Sequence, residues 1–140
     1  MSILVDTGAW YALADTSDRH HVKASHFFLN QAVKANFLTT DLIAAETWTL
    51  LNSHLGRPAA VTFWETLRET KIPILAAQPS DLEAAWRIIQ AFPDQTFSLV
   101  DSVTFALMER IGVTEAFTFD AHFMVYRYGH KRQKAFQCYP

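Results

Sequence analysis

The chain has 140 residues, half of them hydrophobic and 14% aromatic, with a formal net charge of −2. That length suits a single domain, residues 1–140, burying roughly two-thirds of its unfolded surface, and the near-neutral charge argues against a binder that holds nucleic acid by charge alone. One cysteine, Cys138, excludes an intramolecular disulfide and fits a reducing compartment; without a leader pattern or ~20 consecutive apolar residues, the expectation is a soluble cytoplasmic protein outside the membrane.

In chain order, Met1–Val5 reads as a short buried strand ending at Asp6. "GAWYALAD" has helical periodicity and "DTSDRHH" closes it as a polar loop. Ala24, Phe27, Phe28 and Ala32 lie at helical spacing, which predicts a helix from about Val22 to Val33. "NFLTT" is a strand. Asp41 is then placed as the N-cap of a helix through "LIAAETWTLLNSHL" that stops at Gly56. Pro58 suits the first turn of the next helix, with Ala60, Phe63, Trp64 and Leu67 as its apolar face. "IPIL" is a strand, and Ser80 with Glu83 forms a capping-box pattern before Leu82, Ala85, Trp86 and Ile89.

After the break at "FPDQTF", "SLVDSVTFALMERIG" is a strongly apolar helix that Gly112 ends. "EAFTF" is a strand followed by Asp120, "AHFMVY" starts another helix, and "AFQCY" adds an edge strand. Short apolar strands alternating with amphipathic helices predict an α/β fold, a three-layer α/β/α arrangement around a mostly parallel sheet. Trp48, Trp64 and Trp86 fall on or beside apolar helix faces and are assigned to the core.

"VDTG" at residues 5–8 also matches the way an aspartic protease presents its catalytic carboxylate. Such a protease of this size is nearly all strand and assembles two Asp-Thr-Gly copies. This chain has one copy among many helices, which excludes that reading.

Four carboxylates then need explaining. Asp6 and Asp120 sit at strand ends, where open α/β sheets place their active sites. Either alone is equally well a cap for the following helix. Glu46 shares an otherwise apolar stripe with Ile43 and Leu50, so it either points into a polar site or reaches solvent at a helix edge. Asp101 follows Ser98 at capping-box spacing, yet it also stands in the first turn of a central helix, where the macrodipole favours negative charge. No Lys or Arg lies within four residues of Asp6, Glu46 or Asp120. Four clustered carboxylates repel one another unless a hard cation is present, and oxygen ligands point to Mg²⁺ or Mn²⁺ rather than zinc.

These segments resemble one family. "ILVDTGAWYAL", "AAETWTLL", "FSLVDSVTFALMERIGV" and "AFTFDAHF" occur in the order and over the length of the PIN-domain ribonucleases, in particular the VapC-like toxins of type II toxin–antitoxin pairs. The resemblance implies a PIN-like fold and Mg²⁺-dependent endonucleolytic hydrolysis of RNA phosphodiesters, with Mn²⁺ as a possible substitute. It implies Asp6 and Asp101 as metal ligands, and Glu46 and Asp120 as acids completing the pocket directly, through water or through a second ion. Thr7 and Thr118 match positions of supporting hydroxyls. It also implies a small antitoxin partner and a homodimer, for which Trp10, Tyr11, Phe27 and Phe28 offer apolar surface. The alternative is a PIN-domain RNA-processing nuclease or RNA-binding module without an antitoxin.

The six histidines lack metal-ligand spacing: His20 and His21 fall in a polar loop, and His122 beside Asp120 receives no catalytic duty. In "YRYGHKRQK", Arg127, Lys131, Arg132 and Lys134 are interleaved with Tyr126 and Tyr128. This run either tracks an RNA backbone or is a solvated turn. Setting the four acids aside changes the charge from −2 to +2, which leaves room for RNA.

Overall fold

The computed structural model describes all 140 residues. At its centre lies β1 (Ser2–Val5), whose Ile3, Leu4 and Val5 are completely buried. Both faces of this strand are covered, so its sequence is a continuous apolar run rather than an alternation. On one side it pairs with β2 (Asn36–Thr40), and β2 pairs with β3 (Ile74–Leu75). On the other side it pairs with β4 (Glu115–Phe117), followed by β5 (Gln137–Tyr139). All pairings are parallel and the strand order is β3-β2-β1-β4-β5. Parallel neighbours need long crossovers, which helices supply here: α1 (Thr7–Ala14), α2 (His21–Gln31), α3 (Asp41–His54), α4 (Arg57–Glu69), α5 (Pro79–Ala91), α6 (Leu99–Ile111) and the single turn α7 (His122–Val125). A five-stranded parallel sheet flanked by helices is the α/β/α fold expected from the sequence.

Two aromatic clusters fill the core. Phe27 and Phe28 of α2 lie against Phe37 of β2, and Phe27 also meets Phe117 of β4 and Tyr139 of β5. Trp10 of α1 joins this cluster edge-on to Phe28 and Phe63, with its indole N–H donated to Thr39 Oγ1 at 3.2 Å. The second cluster is built on Phe105 of α6, which stacks on Tyr126 at 4.4 Å and meets Phe123 and Phe136.

Several local expectations shift by a residue or two. Thr40, not Asp41, caps α3, accepting the Ile43 N–H at 3.1 Å. Both side chains are competent caps, but only Thr40 has the extended backbone a cap requires. At α5, Asp81 accepts the Gln78 N–H at 2.8 Å, so the capping box is Gln78–Asp81 rather than Ser80–Glu83. Pro79 then takes the first helical position, which needs no N–H. The buried face of α5 is Asp81, Ala85 and Ile88, and it leaves Leu82 and Trp86 outside. Trp86 is 56% exposed and Trp64 38% exposed, so neither belongs to the core; Trp48 packs against it, partly buried. The expected Ser98–Asp101 box forms at α6, and Gly112 ends that helix in the left-handed conformation, at φ 74°.

Candidate active site

The order β3-β2-β1-β4-β5 reverses direction at β1: the chain first builds outward through β2 and β3, then returns to add β4 on the other side. Crevices beyond the strand ends at such a switch point are where open α/β sheets place ligands. Asp6 directly follows β1, and Thr118 to Asp120 directly follow β4. Glu46 comes from α3, after β2, and Asp101 from the first turn of α6. All four acids line one cleft of about 400 Å³, together with a fifth, Asp18, and with Thr7, Tyr11, Arg19, His20, His54 and Phe119.

Hydrogen bonds tie most of this constellation together. The Thr118 hydroxyl donates to Asp6 Oδ2 at 2.9 Å and accepts the Asp120 N–H at 3.0 Å. Asp120 Oδ1 accepts the His122 N–H at 2.9 Å. Asp101 Oδ2 accepts the Ser98 N–H at 3.1 Å and lies 3.1 Å from His122 Nδ1. That same nitrogen is 3.4 Å from Asp120 Oδ1. The ring's other nitrogen stands 3.3 Å from Thr96 Oγ1, and its flank is set edge-on to Phe97. With a proton on Nδ1, His122 therefore bridges the carboxylates of α6 and the β4 end.

Asp6 is only 5% exposed, and burial pushes its carboxyl up to about 7. The Thr7 N–H and Thr118 hydroxyl oppose that rise, while the charges of Asp101 and Asp120 add to it. No lysine or arginine forms an ion pair with any of the four acids. The Thr7 hydroxyl is also buried without a hydrogen-bond partner beside them. A buried carboxyl held so far up and an orphaned hydroxyl together leave a place for a cation with its coordinated water. The donor atoms of Asp101, Asp120 and His122 lie within 4.8 Å of one another and could hold such an ion once the His122 nitrogen facing them carries no proton, with Asp6 in the same cleft. Oxygen-rich donors of this kind suit a hard divalent ion.

The basic run does not come to the cleft. Arg127 Nη1 donates to the carbonyls of Met124, Val125 and Tyr126, closing the end of α7. Arg132 Nη1 donates to the Tyr126 hydroxyl at 3.2 Å, and its guanidinium lies over the Phe92 ring. Tyr126 is fully buried and Tyr128 stacks on Phe136, so both tyrosines are packing groups. Lys131 and Lys134 remain exposed. The segment reaches the C-terminal end of α6 through Tyr126 and Glu109, about 12 Å along the helix from Asp101.

His122, Arg19, His20 and His54 are site-lining residues that the sequence does not assign. For His122 the only local signal is its place two residues after Asp120. Arg19 and His20 read as solvated loop because nothing local shows that the loop folds over a strand end.

The chain matches the PIN domain family model over residues 3–128. It is 31% identical over 121 residues to the 23S rRNA-specific endonuclease VapC20 of Mycobacterium tuberculosis, covering 86% of this chain and 91% of the relative. The crystal structure of M. tuberculosis VapC20, a sarcin–ricin-loop-cleaving toxin, superimposes with a TM-score of 0.78 over 85% of this chain and 90% of that one, at 31% identity. VapBC2 from Rickettsia felis, bound to a DNA fragment from its promoter, matches with a TM-score of 0.73 over the full length of both chains. At 7% identity this is a likeness of fold alone. By the family match, and by its identity with a relative covered almost end to end, the chain belongs to the PIN-domain family.

Proposed function

We propose that this protein is a metal-dependent endoribonuclease that hydrolyses RNA phosphodiester bonds and is the toxic member of a toxin–antitoxin pair, acting in the cytoplasm as one domain. The observation that carries the reading is four carboxylates from four separate segments lining one cleft with no lysine or arginine paired to them. Asp6 and Asp101 would hold Mg²⁺ or Mn²⁺, with Glu46 and Asp120 completing the pocket directly or through water. Such an ion supplies Lewis-acid stabilisation of the phosphoryl group and a more acidic water.

The remaining work falls to the chain itself. Thr118 fixes the rotamer of Asp6 by donating to its Oδ2. His122 holds Asp101 and Asp120 toward one another. The Thr7 hydroxyl is available to a water or phosphate oxygen.

The toxin assignment follows the relative whose name gives 23S rRNA as its substrate, so ribosomal RNA is the first substrate to test. A toxin needs a neutralising partner. An apolar groove of about 580 Å³ lined by Trp10, Phe28, Pro58, Phe63 and Leu67 suits the apolar face of a short antitoxin segment. Purified protein incubated with ribosomal RNA is expected to cut it in Mg²⁺ or Mn²⁺, to cut poorly in Ca²⁺, and to stop in chelator. Undiminished cleavage in excess EDTA would overturn the mechanism.

A further inference from the structure

Two hollows meet along one wall. The acid cleft and a smaller groove of about 220 Å³ share His20, Phe119 and Asp120. The upper part of this wall is a stacked ring pair, with the His20 imidazole and Phe119 phenyl centroids 4.2 Å apart and their planes within 8°. Both residues are only partly buried, and they come from distant segments: His20 precedes α2, and Phe119 follows β4. Phe119 makes only one other ring contact, edge-on to Phe117 at 6.1 Å, so the pair is not simply an extension of the core.

Two cations stand along the wall beside its acids, Asp18 and Asp120. Arg19 lines the cleft side and Lys23 the groove side. Both are exposed, and neither forms an ion pair. The Arg19 Nε–H donates to His20 Nε2 at 3.2 Å, which holds the imidazole between a guanidinium and a phenyl ring. Met124, Cys138 and Tyr139 give the groove an apolar lining.

The cleft's carboxylates repel a phosphodiester, so a strand seated over them needs cations placed alongside. Unpaired bases bind flat aromatic faces and adjacent cations with little regard to sequence. We infer that the groove receives the unpaired RNA nucleotide adjoining the bond to be cut, with its base against the Phe119–His20 wall and its flanking phosphates on Arg19 and Lys23. This rests on the reading of the acid cleft as the RNA-cleaving site. The wall then selects which phosphodiester is presented to the acids, because a base held in a helical stack cannot enter the groove.

The test uses a fluorescein-labelled 12-nucleotide RNA of random sequence, with anisotropy read in the Asp101→Asn background. Phe119→Leu is expected to weaken binding about tenfold or more, as loss of one stacking partner does. Phe119→Trp keeps the affinity of the parent. Lys23→Ala and Arg19→Ala each flatten the dependence of log affinity on log salt by about 0.7, the value for one phosphate contact on a single strand. In the otherwise unaltered chain, Phe119→Leu raises KM for RNA more than it lowers kcat. Binding by Phe119→Leu within twofold of the parent overturns the inference, and so does a Phe119→Trp chain as weak as Phe119→Leu. An inert Asp101→Asn chain whose Phe119→Leu derivative still binds normally overturns the wall alone. An Asp101→Asn chain that still cuts RNA overturns the acid site instead.

Discussion

Asp101 occupies two structures with a single carboxylate. Its Oδ2 closes the capping box with Ser98 and also meets His122 at the cleft. Asp101→Asn is expected to change stability by about 1 kcal/mol or less and to abolish cleavage. Ser98→Ala, which removes only the cap, costs about 1 kcal/mol and leaves turnover largely intact. Denaturation curves beside cleavage rates separate the two, and an active Asp101→Asn enzyme would return the residue to capping alone. Asp6 makes a different prediction. Burial raises its carboxyl from an ordinary 3.8 to about 7 on folding. Below about pH 4 the folded and unfolded chains both hold this proton. Between there and about 7 only the folded chain keeps it, so this group's contribution to the stability of metal-free protein falls as pH rises. Urea titrations in EDTA at several pH values should show that loss, and Asp6→Asn should shrink it. Metal affinity runs the other way, because binding displaces the proton and so tightens up to about pH 7.

Among the elements, α5 and α6 are joined by the molecule's one two-point ion pair. Arg110 donates from Nε to Asp81 Oδ1 at 2.8 Å and from Nη2 to Oδ2 at 3.0 Å. Asp81 is 1% exposed, and Arg110 holds its carboxyl below the ordinary carboxylate range. Arg110→Ala strands a buried charge and should cost about 3 kcal/mol, or roughly 10 °C in Tm. The pair lies at the far end of α6 from Asp101, so cleavage per folded molecule should not change. Arg110→Lys recovers only part, because an ammonium cannot make the fork. Calorimetry of the two variants checks this.

Asp81 also marks where sequence reasoning stops. The order of strands and helices was legible because buried parallel strands are short apolar runs and the helices between them carry periodic faces. Asp6, Glu46, Asp101 and Asp120 were legible as anomalies, acids where apolar residues or plain caps were expected. Pairings made across tens of residues were not. Asp81 finds Arg110 29 residues away and His122 finds Asp101 21 residues away, with no local pattern to announce either. The face of α5 was misplaced for the same reason: a buried Asp looks polar until its arginine is known, so Leu82 and Trp86 took its place in the reading. In "YRYGHKRQK", Tyr126 and Arg132 look like RNA-facing groups until Glu109 and Phe92 are seen holding them.

For the whole molecule, the aromatic residues that suggest a dimer from sequence are largely consumed by the core. Trp10 is buried, and Phe27 and Phe28 pack on Phe37. The apolar surface left over lies elsewhere: Val22 and Leu29 on α2 with Val33 just beyond it, and Leu82 and Trp86 one turn apart on α5. A homodimer remains our proposal on this ground. Light scattering at micromolar concentration should give twice the 15.9 kDa chain mass, and a strict monomer would overturn it.

The hydrogen bond from Thr118 to Asp6 joins residues 112 positions apart. The first strand made therefore waits for its second neighbour until β4 has left the ribosome, late in synthesis. At ordinary elongation rates that interval is on the order of ten seconds. Throughout it Asp6 has no Thr118 and Asp120 does not yet exist, so the nascent chain has no complete cleft. The four-acid cleft is in this way assembled only late in synthesis. A chain ended before Glu115 lacks Thr118 and Asp120 and is expected to cut no RNA.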